Sequence, residues 1–480
     1  MLLARDAAQS PTASRVDDTR KQAKRLGESR IFGTDGIRGR AGEGWLSTAG
    51  ASAIGRTVAA VWKKRGALVA TKSRGTHVLL GHDGRRSGPG LEAALARGLA
   101  AHGLASTSAG LITTPGLALL ARIEGFPLAI MVSASHNPAG DNGIKIFAGA
   151  DGKLSDELER EIEAALRADP SPVDEGPAPT TDPALELDYL GYLVDQAGAG
   201  LKLSGMTLVV DCANGGASRV AERVFGRLGA QVTAIGAEPD GENINRGVGA
   251  THPAALQTEV RRIGAQIGIA LDGDGDRCIL VDEHGAIVHG DGILTLIARH
   301  LRAKGELEPP RIVATVMANR GLHRALREVG VGVETVDVGD KNVVDALRRQ
   351  NLRLGGEQSG HIVFGADHFF IGDGLYTALR VLRVLRETHK PLSELASPYR
   401  PFPQVLLNVP VARKPALDRI PKVAEAVQRI EDELAEDGRV LLRYSGTEPL
   451  ARVMIEGPDA AMIQARAQAL AALLSAELGS

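Results

Sequence analysis

His77-Val78-Leu79-Leu80-Gly81-His82-Asp83-Gly84-Arg85 is the stretch on which the fold turns. A short apolar run breaks into glycine and polar residues, as a buried strand does when it enters a loop. An Ala/Leu-rich amphipathic stretch follows, and then Gly103-Leu104-Ala105 before the next strand-like segment. The same plan returns twice. Thr207-Leu208-Val209-Val210-Asp211-Cys212-Ala213-Asn214-Gly215-Gly216 runs into a helical pattern and then Gly229-Ala230-Gln231-Val232. Arg311-Ile312-Val313-Ala314-Thr315-Val316-Met317-Ala318-Asn319 runs into another and then Gly330-Val331-Gly332-Val333. Each is half of a βαβ unit. The copies are far apart and unevenly spaced, which means repeated domains and not a solenoid. Three similar α/β domains with mixed, mostly parallel sheets follow.

Composition sets the boundaries. Residues 168–186 are rich in Pro, Asp and Thr and read as a linker. This separates domain 1 (30–183) from domain 2 (184–287). Domain 3 (288–399) ends where prolines cluster, and domain 4 (400–480) has an α+β pattern. Residues 1–29 have no apolar core and read as a mobile extension that the fold does not need. The 480 residues are 44% hydrophobic and 24% charged, with a formal net charge of −2. Nucleic acid and membrane surfaces are therefore not favoured as partners, and any anion site must be built locally. Two cysteines give no disulfide framework and suit a reducing cytoplasm.

Five motifs carry chemistry. Ile130-Met131-Val132-Ser133-Ala134-Ser135-His136-Asn137-Pro138 places two hydroxyls at the end of an apolar strand. Asp141-Asn142-Gly143 reads as a turn, and Lys145 follows in the next strand. A hydroxyl beside a histidine and a lysine suits nucleophilic chemistry, although the same residues also make ordinary turns. Ser133 lies in the apolar run, whereas Ser135 is expected to open outward. Phe32-Gly33-Thr34-Asp35-Gly36-Ile37-Arg38-Gly39 allows close backbone approach and offers Arg38 as a fixed charge, or is a tight turn. Asp272-Gly273-Asp274-Gly275-Asp276-Arg277 alternates carboxylates with glycines, which favours a hard cation such as Mg²⁺ over a solvated acidic turn. An EF-hand is disfavoured because Arg277 stands where that loop needs glycine. Gly355-Gly356-Glu357-Gln358-Ser359-Gly360-His361 offers Glu357 and Ser359 to sugar hydroxyls, or is a plain turn. Arg443-Tyr444-Ser445-Gly446-Thr447-Glu448-Pro449, with Arg452 beyond, is a phosphate cradle or a hairpin connection.

These motifs, in this order, resemble the α-D-phosphohexomutase superfamily over about residues 30 to 480. The matching elements are Ser133–Pro138, Asp272–Arg277, Gly356–His361, Arg443–Pro449 and Phe32–Gly39. The Gly-Glu-Gln-Ser-Gly-His form is similar to the branch that acts on glucosamine phosphates. The resemblance implies four domains around a central cleft. It implies a phosphoryl group on Ser135, with Arg38 and His136 beside it. Mg²⁺ would be held by Asp272, Asp274, Asp276 and the phosphate of Ser135. Lys145 and His361 would move protons, and Arg277, Glu357 and Ser359 would face the substrate. Arg443, Ser445, Gly446, Thr447 and Arg452 would hold its phosphate. The partner implied is a small phosphosugar, with a hexose bisphosphate as activator and intermediate. A homodimer stays open beside the monomer. The implied reaction interconverts glucosamine 6-phosphate and glucosamine 1-phosphate, towards UDP-N-acetylglucosamine and cell-wall precursors. The rivals are a glucose or mannose phosphate mutase, a non-catalytic phosphosugar-binding protein and a Mg²⁺-dependent phosphatase. The chain departs from the superfamily pattern at His82 and Gly84, where an arginine and a threonine are usual.

Overall fold

A computed structural model describes residues 30–33, 35–66, 76–149, 152–445 and 449–479. The extension expected over 1–29 and two expected phosphate ligands, Gly446 and Thr447, lie outside them. The described chain forms two compact units. One runs to Tyr189 and includes Pro239–Ile244; the other comprises Leu190–Glu238 and the chain from Asn245 onward.

In the first unit, Val78–His82 lies between two parallel neighbours, Ser106–Leu111 and Leu128–Val132. Leu128–Val132 then pairs antiparallel with Asp141–Ala148, which pairs antiparallel with Ile37–Arg40. Val78, Leu79 and Leu80 are wholly buried, as a strand covered on both faces must be. Helices Thr48–Lys64 and Gly88–Ala100 pack together on one side of this sheet. Their axes approach closely because Gly55 meets the Leu95 carbonyl and Gly98 the Ser52 carbonyl, leaving no space for a Cβ. Ser47, Thr113 and Ser155 cap the helices that follow them, each hydroxyl accepting a backbone N–H.

Two sequence expectations change here. Asp141-Asn142-Gly143, read as a turn, begins the strand, with Arg40, Gly39 and Arg38 as cross-strand partners. The turn is shorter than its polar residues suggest, because Gly143 lets the strand pass close to the Ser133 and Ile37 carbonyls. The stretch 168–186, read as a linker, contributes an edge strand, Thr180–Thr181, parallel to Ser106–Leu111. It is also bound at Val173, whose N–H donates to Ser52 Oγ and whose carbonyl accepts from it.

The second unit holds three sheets. The first has Thr207–Asp211 between parallel Gln231–Ile235 and Ile267–Leu271, extended by the antiparallel hairpin Cys278–Asp282 and Ile287–Val288. In the second, Arg311–Thr315 lies between parallel Gly332–Val336 and Gly355–Gly356, with Ile362–Val363 antiparallel at the edge. The third is an antiparallel sheet of Gln404–Pro410, Leu450–Glu456 and Arg439–Tyr444, packed on helices Pro421–Leu434 and Ala460–Leu478. The expected architecture is therefore present. Each α/β sheet has a parallel centre and an antiparallel edge.

Candidate active site

The candidate residues divide between the units. In the first, Ser135 follows the end of strand Leu128–Val132 with φ at 51°, a left-handed conformation that costs a non-glycine residue energy unless its surroundings hold it. The holding groups are Asp83 and Arg85, at the end of the neighbouring strand. Arg85 is fully buried, and its Nε donates to Asp83 Oδ2 at 2.9 Å. Its two amino groups donate to the carbonyls of Ser135, Asn137, Pro138 and Asp141 at 2.5–3.0 Å. Ser133 Oγ donates to Asp83 Oδ2 at 2.7 Å and accepts the Ser135 N–H at 2.9 Å. The two serines therefore differ in role, though not in depth. Ser133 is 0% exposed and Ser135 1%, which corrects the expectation that Ser135 opens outward. Both the N–H and the carbonyl of Ser135 are held in the clamp, by Ser133 Oγ and Arg85. What separates them is that Ser133 Oγ belongs to the Asp83 clamp, while Ser135 Oγ lies 3.3 Å from His136 Nδ1.

Charge gathers around this loop. Lys145, 3% exposed, pairs with Asp35 Oδ2 at 2.8 Å, and Lys153 pairs with Oδ1 at 2.7 Å. Arg38 reaches Asp35 at 2.5 Å and the Asn137 side-chain oxygen at 3.2 Å. Burial alone would raise the Asp35 pKa, but Lys145, Lys153 and Arg38 hold it well below the ordinary carboxylate range. Three cations around one carboxylate leave this cluster net positive, and Arg38 ties it to Asn137, two residues beyond Ser135. At the departure from the superfamily pattern, His82 Nδ1 accepts the Gly84 N–H at 3.1 Å and Gly84 takes φ of 100°. The His82 ring also packs on Gly88, so it fills space and supports the turn leading to Arg85.

Arg85 supplies the test of this clamp. A lysine there keeps the charge but cannot spread a planar fork over four carbonyls and a carboxylate. Arg85→Lys is expected to lower stability by about 3 kcal/mol, because several buried carbonyls lose their donor and the buried charge loses its fixed geometry on Asp83. Urea unfolding would measure this, and turnover should fall with the loop geometry.

In the second unit, Asp272, Asp274 and Asp276 each bring a carboxylate oxygen within 4.8 Å of the others. Asp272 and Asp274 are fully buried and the Asp276 side chain is 13% exposed. Three hard oxygen ligands on one tight loop fit Mg²⁺, and these residues would hold it. The Arg277 N–H donates to Asp272 Oδ1 at 3.1 Å, closing the loop. Burial would lower the Arg277 pKa, but Asp272, Asp276, Asp274 and Glu357 together raise it. The loop Gly356–His361 is pre-set. Glu357 accepts the Gly339 N–H at 3.0 Å and the Ser359 hydroxyl at 3.2 Å. The Cys278 N–H donates to the Gly360 carbonyl at 3.0 Å, tying this loop to the strand after the aspartates. His361 is 8% exposed, and its Nδ1 has no hydrogen-bond partner among the described residues.

In the C-terminal sheet, Arg443 and Arg452 are direct cross-strand partners. Like charges placed opposite each other destabilise a sheet, and an anion bound between them would relieve that. Ser445 is 5% exposed, and Lys414 Nζ donates to its carbonyl at 2.6 Å. Arg443→Ala is expected to raise KM for the sugar phosphate by about tenfold with a smaller change in kcat, because a clamp away from the transferring group contributes uniform binding. Steady-state kinetics would check it, and an unchanged KM would remove Arg443 from the site.

Sequence reasoning missed Asp35, Lys153 and Lys414 as site residues and did not see that Asp83 and Arg85 set the nucleophile loop. The signal for the last pair was present: two opposite charges two apart at a strand end in an otherwise apolar setting.

Known proteins match this chain along nearly its whole length. Models of the four phosphoglucomutase/phosphomannomutase domains match in order: alpha/beta/alpha domain I over 29–172, domain II over 188–285, domain III over 289–402 and the C-terminal domain over 406–473. A phosphoglucosamine mutase of Symbiobacterium thermophilum is 44% identical over 458 residues, covering 94% of this chain and 99% of the relative. The chain belongs to the phosphoglucosamine mutase family. A second member, from Ligilactobacillus salivarius, is 44% identical over 467 residues with the same coverage. Among solved structures, a phosphoglucomutase/phosphomannomutase family protein of Burkholderia thailandensis superposes with a TM-score of 0.75 at 27% identity, covering 93% of this chain and 97% of that one. A phosphomannomutase-like structure from Thermus thermophilus shares the fold with a TM-score of 0.70 at 22% identity, covering 93% of this chain and 99% of that one.

Proposed function

We propose that this chain interconverts glucosamine 6-phosphate and glucosamine 1-phosphate, with Ser135 as the phosphoryl carrier. The observation that carries the reading is the 44% identity with phosphoglucosamine mutases over 94% of this chain. Support comes from the buried Ser135, the cationic cluster on Asp35 that Arg38 ties to the serine loop, and the aspartate loop.

In the forward step, the bond from phosphorus to Ser135 Oγ breaks as a bond forms to the free hydroxyl of the sugar phosphate. The hydroxyl's proton leaves to a nearby base, a proton is delivered to Ser135 Oγ as it leaves phosphorus, and the products are free Ser135 and a sugar bisphosphate. The intermediate then reorients and returns its other phosphoryl group to Ser135. Arg38 and Lys145 balance the charge on that group at both stages. Mg²⁺, when bound by Asp272, Asp274 and Asp276, would supply Lewis-acid stabilisation of the transferring phosphoryl oxygens. Glu357 and Ser359 are positioned to receive sugar hydroxyls, Arg443 and Arg452 the non-reacting phosphate, and His361 a proton. These pre-set groups would have to accept the sugar in both orientations.

Turnover of glucosamine, glucose and mannose phosphates under one condition tests the assignment. The amino sugar is expected to give the highest kcat/KM. A higher value for glucose or mannose phosphate would move the chain to the sibling activity, and no turnover of any would leave a binding protein.

A further inference from the structure

Behind the aspartate loop lies a buried chain of polar groups that the reaction above does not use. Tyr192 opens a π-helical turn, Tyr192–Ala197, a form that recurs at functional sites. Its hydroxyl is 3.1 Å from His368 Nδ1, and His368 Nε2 is 3.2 Å from Asp373 Oδ2. His368 is 0% exposed and Asp373 1%, and the Tyr376 ring stacks on the imidazole at 3.9 Å. The Asp373 carboxylate can only accept, so Nε2–H is the donor of that bond, and Nδ1 shares the other with the Tyr192 hydroxyl.

The segment bracketed by His368 and Asp373 is strained. Phe369 and Phe370 are consecutive non-glycine residues with φ of 54° and 61°. Such strain persists only where surrounding structure enforces it. Beyond it, Asp373 caps helix Gly374–Thr388 by accepting the Tyr376 N–H. The strained segment touches both sides of the chemistry. The Gly374 N–H donates to the Gly275 carbonyl inside the aspartate loop at 3.0 Å, and a Cβ on Gly374 would lie 2.5 Å from the Arg277 carbonyl oxygen. Gly372 packs so tightly on the His361 ring that it has no room for a side chain.

We propose that His368, held between Tyr192 and Asp373, is a positioning residue that sets the aspartate loop and His361 in register. It closes the strained turn, and the turn carries the contact at Gly275 to one side and the contact at His361 to the other. The inference rests on the reading of the aspartate loop as a Mg²⁺ site.

The paired variants His368→Asn and His368→Gln test it, by side-chain length. Asparagine places its amide near the position of Nδ1 and cannot reach Asp373, whereas glutamine places a donor near the position of Nε2. Mg²⁺ binding to the full chain would be followed by calorimetry, with kcat, KM and Tm measured alongside. His368→Asn is expected to weaken Mg²⁺ binding by about tenfold or more, the range seen when partners behind metal ligands are removed, with KM for the sugar phosphate little changed. His368→Gln is expected to recover most of that loss. If His368→Asn does not fold, Tyr192→Phe replaces it and is expected to weaken Mg²⁺ binding by about threefold, a smaller loss than that of a direct partner. Wild-type Mg²⁺ affinity and kcat in His368→Asn, or in Tyr192→Phe where it stands in, would overturn the inference, as would equal losses in the two His368 variants. Failure of the unmutated chain to bind Mg²⁺ would instead overturn the reading of the aspartate loop, and the inference with it.

Discussion

Ser135→Ala is expected to lower turnover by four to six orders of magnitude, on the order of the loss seen when a covalent nucleophile is removed. Without Oγ there is no acceptor for the phosphoryl group that the bisphosphate must return, so neither half of the cycle closes. The fold should survive, because the Ser135 carbonyl and N–H keep their bonds to Arg85 and Ser133. Ser133→Ala should behave differently. It removes the hydroxyl that links Asp83 to the Ser135 N–H, leaving two buried groups short of a partner, and is expected to cost about 2 kcal/mol of stability. Its turnover should fall only as far as the loop shifts. Mass spectrometry of peptides from protein incubated with a hexose bisphosphate and Mg²⁺ would separate the two. A phosphate found on Ser133, or near-normal turnover in Ser135→Ala, would show that the carrier is misassigned.

The second large effect is expected from Asp274→Asn. The change is almost isosteric, so it isolates charge from shape. It removes one of three carboxylates whose oxygens converge within 4.8 Å, and a neutral amide is a poorer ligand for a hard cation. Partners behind metal ligands cost 10- to 100-fold when removed, so loss of a direct ligand should sit at or beyond about 100-fold in Mg²⁺ affinity. Activity should fall in parallel and be partly restored at high Mg²⁺. Titration of the apo protein, with activity measured at each metal concentration, reads both. Full activity of Asp274→Asn, or of the unmutated chain in excess chelator, would remove the metal from the mechanism.

The repeating strand–loop–helix plan was legible because apolar runs at Val78–Leu80, Leu208–Val210 and Ile312–Ala314 are buried in the centres of parallel sheets. Such runs need no partner to be recognised. The antiparallel edges were less legible. At Asp141-Asn142-Gly143 the composition argued for a turn, but cross-strand pairing with Ile37–Arg40 overrode it, and that pairing lies a hundred positions away in sequence. The edge strand inside the stretch 168–186 was hidden for a related reason. Two threonines suffice for an edge strand once a neighbouring strand offers its free side. In the site, residues that present chemistry stood out through their order and spacing along the chain, since each motif alone also reads as a turn. Residues that hold them did not. Arg85, Asp83, Asp35 and His368 act through contacts with segments distant in sequence.

The Arg85 clamp also governs how activity is lost under denaturing conditions. One guanidinium joins the end of strand Val78–His82 to the loop and the strand on the far side of Ser135. None of those bonds survives if either strand leaves the sheet. The reactive loop therefore has no independent melting step, and the bonded amide protons of Ser135, Asn137 and Asp141 should exchange only through cooperative opening of the unit that contains them. Partly unfolded molecules would then be silent rather than error-prone. A population losing structure would show fewer working enzymes, each with unchanged fidelity, in place of a uniform decline in which a loosened serine passes its phosphoryl group to water.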